Sequence, residues 1–192
     1  MSPKTNDGKT SINTRYYQCF QHLQDDDEHK VALAFDAVMF DREMALPAVI
    51  EMYLITIGEM PAFVDIYSTD MHTRTKYEIN QKVGSRIKGT LSKKKAYIRI
   101  DESTKENRRK LKVLRYYLVQ LMAFSNSKKS IPFLIRALDD KEPLIRIEAM
   151  LGLEDYKAID AYPLIETRLR DVDSNVRGVA QDVCNNFRRL LQ

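Results

Sequence analysis

A chain of 192 residues that is 44% hydrophobic and 30% charged, with six Gly and six Pro, has the composition of a helix-rich folded protein and excludes wholesale disorder. Cys19 and Cys184 stand far apart and share no metal-ligand spacing with His22, His29 and His72, which argues against a zinc site or a disulfide scaffold and fits a reducing cytoplasm. The net charge of +4 is the sum of two opposed regions, not a uniform property of the chain.

Residues 1–10, MSPKTNDGKT, are polar and lack periodicity, and read as a disordered tail. The next region, 11–56, begins with SINTRYYQCFQHL (11–23), an opening helix. An acidic turn, Asp25-Asp26-Asp27-Glu28, then precedes a helix with small Ala32 and Ala34, and a second, Pro-containing helix follows at Leu46-Pro47-Ala48. The acidic run lacks the alternate spacing and the glycine of a calcium loop, so its expected role is to complement a helix N-terminus. The apolar stretch 44–67 is interrupted by Glu51, Glu59 and Asp65, which excludes a simple membrane span.

Residues 57–103 form an irregular basic insertion with Pro61, Gly84 and Gly89. Alternation through Ala96, Tyr97, Ile98, Arg99 and Ile100 suggests a short strand, hairpinned with Ser85 to Leu91. Residues 82–115 hold thirteen Lys or Arg against three acids, roughly +10, which leaves the rest near −6. The partner-binding candidates are therefore Lys93, Lys94, Lys95 and Arg99 in the insertion, with Arg108, Arg109, Lys110, Lys112 and Arg115 on the helix that follows. Tyr97 is the one aromatic residue in the segment's densest stretch of charge, a poor stacking platform for nucleic acid.

Residues 104–192 contain a repeat. IPFLIRALDDKEPLIRIEAMLGL (131–153) aligns without a gap on YPLIETRLRDVDSNVRGVAQDVC (162–184) at a shift of 31. Pro132 falls on Pro163, Asp140 on Asp171, Arg146 on Arg177 and Ala149 on Ala180; the same shift carries Leu114-Arg115 onto Ile145-Arg146. Each unit reads as two helices, with proline in the opening turn of the first and an acidic turn before the second. Neither helix buries its apolar stripe alone, so the units must stack. Pro47 and Pro132 are 85 residues apart, not a multiple of 31, so an irregularity lies between them.

The sequence D-K-E-P-L-I-R-I-E-A-M-L-G-L (140–153), with D-V-D-S-N-V-R (171–177), resembles the HEAT-like repeat family in the short bacterial form first recognised in phycobilin lyases. The resemblance implies an all-α, right-handed α-solenoid of helical hairpins in one elongated domain. It also implies that Arg146 and Arg177 pair with a turn aspartate of their own or a neighbouring unit. Arg115 has Arg109 where that aspartate would stand, and is expected to be freer.

No arrangement has the signature of nucleophilic catalysis, a phosphate-cradling glycine loop or paired carboxylates at a distinctive spacing, so the reading leans away from an enzyme and expects no cofactor. The leading reading is a cytoplasmic, non-catalytic adaptor that binds an acidic-surfaced protein along its concave inner helices, with no membrane role and an open oligomeric state. The resemblance implies two alternatives: a bilin lyase-like subunit acting on tetrapyrrole-carrying proteins, and a DNA-binding protein similar to the HEAT-like alkylpurine DNA glycosylases. The latter use tryptophan at the lesion, and this chain has none.

Overall fold

A computed structural model describes residues 16–59, 62–66, 94–98 and 104–192. The expected tail at 1–10, and Lys93 and Arg99, lie outside the described residues.

The described residues build four two-helix units. Unit 1 is α1 (16–22) and α2 (Glu28–Phe40). Unit 2 is α3 (Arg42–Thr56) and α4 (Lys105–Ala123). Unit 3 is α5 (Ile131–Ala137) and α6 (Pro143–Asp155), and unit 4 is α7 (Tyr162–Thr167) and α8 (Ser174–Leu190). The second helices stack in order, α4 on α6 and α6 on α8, while α3, α5 and α7 each pack against the second helix of their own unit. Prolines open α5, α6 and α7, where a missing N–H costs nothing because those first-turn donors have no intrahelical acceptor.

One continuous core runs through the stack. Ala34, Leu118, Ala149 and Ala180 hold one position of the second helices, and Val38, Met122, Leu153 and Cys184 another; all eight are buried. Small residues at the first position let helices approach closely. A close approach occurs at Gly152, where an added Cβ would lie 2.7 Å from Ala123 Cβ and 3.2 Å from Leu134 Cδ1. Between units 2 and 3 and between units 3 and 4 the chain reverses through a left-handed residue, Asn126 at φ 56° and Lys157 at φ 51°, so this backbone turn itself repeats at 31 residues.

The acidic turns differ from expectation. Asp140 and Asp171 are not helix caps; each accepts the backbone N–H of the residue two further on, Glu142 at 2.9 Å and Asp173 at 3.0 Å. Asp173 then caps α8 through the N–H groups of Asn175 and Val176. Unit 1 repeats both steps, with Asp25 accepting from Asp27 and Asp27 capping α2.

This phase locates the irregularity. Val49, Met52 and Tyr53 of α3 are buried like Leu134, Ala137 and Leu138 of α5, so Pro47 and Pro132 are equivalent and the 85-residue gap exceeds one period by 54. The excess lies between the two helices of unit 2, at the turn, and α3 still packs on α4. Within it, strands β1 (Ala62–Ile66) and β2 (Lys94–Ile98) pair antiparallel, Ala62 opposite Ile98 and Ile66 opposite Lys94. The residues expected to pair with this strand, Ser85 to Leu91, lie outside the described ones.

Candidate protein-interaction face

Stacking brings the repeat arginines and aspartates together across units. Arg115 Nε lies 3.3 Å from Asp140 Oδ2, and Arg146 Nη2 donates to Asp171 Oδ1 at 2.6 Å. Arg146 Nη1 also donates to the carbonyl of Asp140 at 2.8 Å, so one guanidinium ties its own turn to the next unit's turn. Both pairs are buried, with side chains at most 7% exposed. Burial pushes the Asp171 carboxyl up, but the Arg146 hydrogen bond, the Asp173 N–H and the charges of Arg146 and Arg168 outweigh it and hold the group below its ordinary range. Arg177 donates to the carbonyls of Asp171 and Val172 and is exposed.

Arg115 therefore corrects the sequence reading. It lacks an aspartate six residues back, yet it is buried against one 25 residues ahead, which removes it from the candidate contact residues. The other α4 candidates lie on the N-terminal end of the helix, an extension relative to α6, with Lys112 at the repeat position of Pro143. Arg109 pairs with Asp26 at 3.3 Å and with Glu106, Lys110 with Glu106 at 3.6 Å, and Lys112 with Glu142 at 2.6 Å. These cations meet acids of their own chain, which dilutes the positive field of this end of α4. Arg108 is exposed on the same extension. Lys94 and Lys95 fall on β2, opposite Ile66 and Asp65.

What the sequence reading missed is an apolar outer face on the second helices. On α6, Leu144 is 57% and Leu151 40% exposed, seven residues apart and so on one side of the helix, with half-buried Ile147 between them. On α4 the same positions carry half-buried Val113, Tyr116 and Gln120, with half-buried Tyr117 beside them and Phe124, the residue that ends the helix, 44% exposed. Tyr116 donates to Glu148 at 3.0 Å, and its ring meets Tyr117 edge-on, so the aromatic pair is held in place. On α8 the same positions are Asn175, Gly178 and Asp182. The signal was present in the sequence: Leu144 and Leu151 fall outside the set of positions that recur as core.

A groove of about 580 Å³ between α2 and α4, lined by Gln24, Phe35, Asp36, Arg109 and Tyr117 among others, borders this face. Among the described residues, no three His, Cys, Asp or Glu converge as a metal-binding group, and no helix is long and apolar enough to cross a membrane.

Stacked helical hairpins with a buried arginine–aspartate ladder and an apolar outer face define an all-α helical-repeat arrangement. A family model described as HEAT repeats matches residues 108–184, so that part of the chain carries a HEAT-repeat domain. No curated protein and no solved structure matches the chain.

Proposed function

We propose that this protein is a non-catalytic scaffold that holds a protein partner across the outer face of α4 and α6. The observation that carries this reading is the pair of large apolar side chains left in solvent on α6, Leu144 and Leu151, with Phe124 exposed at the end of α4, where α8 carries Asn175 and Asp182 at the positions of the two leucines. Exposed apolar clusters rimmed by charge are how protein-binding surfaces differ from ordinary surface. Helical repeats bind by presenting side chains from successive units along one face. The rigid tyrosines beside the patch supply contact area at little entropic cost. The basic segment, Lys93 to Lys95 with Arg99, steers an acidic partner toward this face, and Arg108 to Lys112 orient it through charges shared with the chain's own acids.

The test is partner recovery with the intact chain in the presence of nuclease. The double variant Leu144→Ser/Leu151→Ser loses the partner while its thermal unfolding is unchanged; a variant that recovers the partner as well as wild type sinks the reading. Salt-dependent binding to random duplex DNA that disappears on changing Lys93, Lys94 and Lys95 to Glu would favour the nucleic-acid alternative. Visible pigment on co-expression with a bilin source would favour the lyase-like one.

A further inference from the structure

Each later unit meets the one before it through two features. One is the turn aspartate that takes the preceding unit's arginine, Asp140 for Arg115 and Asp171 for Arg146. The other is a row on the second helix. Glu148 accepts from Tyr116 of the preceding helix, Gly152 packs on Ala123, and Asn186 donates to Glu154.

Unit 1 has the accepting half of this interface. Asp25 holds the position of Asp140 and makes the same hydrogen bond to the residue two ahead, 3.0 Å from Asp27 N. Among the described residues its cation is Lys30 of its own helix, 3.4 Å away and half in solvent. Leu33, Ala37 and Phe40 occupy on α2 the three positions of the packing row. Leu33 is 57% and Phe40 95% exposed, and Ala37 is exposed as well. Among the described residues this leaves on α2 an exposed apolar row, Leu33, Ala37 and Phe40, with the Asp25 carboxylate at its register position.

Its chemistry selects the occupant. α4 and α6 present Arg115-Tyr116 with Val119, and Arg146-Ile147 with Met150, to the units that follow them. α8 offers Arg177 with Gly178 and Gln181, so a head-to-tail second copy would set polar residues on Leu33 and Phe40. A two-fold self-pairing would bring the Asp25 of one copy toward that of the other with no arginine between them.

We infer that the α2 edge docks an amphipathic helix of another protein, one that presents an arginine to Asp25 and apolar residues one and four positions later to Leu33, Ala37 and Phe40. This surface is separate from the outer face of α4 and α6.

The test uses the intact chain and a fluorescent peptide of residues 141–157, which carries Arg146, Ile147 and Met150, stapled on its solvent side to fix the helix. Saturable binding is expected. Phe40→Glu abolishes it, Asp25→Lys weakens it about tenfold or more, and the Arg146→Glu peptide restores binding to the Asp25→Lys protein. Leu144→Ser leaves it unchanged, which separates this result from the fate of the proposed scaffold face. Absence of saturable binding, or binding indifferent to both α2 variants, overturns the inference. So does binding that requires removal of residues 1–15, which would make the chain's own N-terminus the occupant. A dimer in sedimentation velocity that Phe40→Glu dissociates overturns it in favour of a second copy.

Discussion

Arg146 and Asp171, 25 residues apart in sequence, form a buried ion pair that also fastens the carbonyl of Asp140, so one side chain sets the register between units 3 and 4. Removing one partner leaves the other charged and dry, which costs far more than the pair contributes. Asp171→Ala and Asp140→Ala are each expected to destabilise the protein by about 3 kcal/mol or more. Arg177→Ala, at an exposed rung, costs roughly 1 kcal/mol or less. Urea unfolding midpoints check all three; equal losses would mean that the ladder has no special role.

The same pair gives a pH dependence. The Asp171 carboxyl titrates below its ordinary value in the folded state because Arg146 and the Asp173 N–H oppose the effect of burial. Its contribution is therefore complete above the unfolded-state value and is lost as pH falls through the lower folded value. The unfolding midpoint should drop below about pH 4, and Asp171→Asn, less stable at neutral pH, should show a shallower acid slope. Parallel profiles for the two proteins would contradict this.

Two glycines in second helices have opposite roles. At Gly152 a methyl group meets Ala123 at 2.7 Å, so Gly152→Ala forces α4 and α6 apart and costs roughly 1–3 kcal/mol. At Gly178 nothing lies within 4 Å, and Gly178→Ala stabilises α8 by about 0.5–1 kcal/mol through helix propensity. Adding Ala123→Gly to the Gly152→Ala variant should recover part of the loss, and calorimetry would measure it.

Cys184 sits at a fully buried repeat position, and burial raises its thiol above the ordinary value against the opposing charge of Arg188. Scarce thiolate and no access make it inert in the native state. Iodoacetamide at neutral pH should modify half-buried Cys19 first and Cys184 only on unfolding, as read by mass spectrometry. Rapid native labelling of Cys184 would mean that unit 4 opens readily.

The period was legible because proline, the acidic turn and the arginine recur at fixed offsets and each answers a local need. Partner choice was not legible. An aspartate six residues behind Arg146 and another 25 ahead are equally plausible on a line, and only stacking puts the second one's carboxylate on the guanidinium. Arg115 was misread for the same reason, since its partner belongs to the next unit. The outer face escaped notice because Leu144 and Leu151 look like core residues until the helix phase separates them from Ile145, Ala149 and Leu153.

The 54 extra residues of unit 2 sit where a short turn would otherwise be, and the cost of closing a longer loop rises by only about 0.6 kcal/mol per doubling of its length. The register between α3 and α4 is held by side chains, Met52 and Tyr53 from one helix and Leu114 and Leu118 from the other, together with Glu59 bound to Arg136 of α5. A cut between residues 59 and 104 is therefore expected to leave the pieces 16–59 and 104–192 associated through the core they share, which size-exclusion chromatography after limited proteolysis would read.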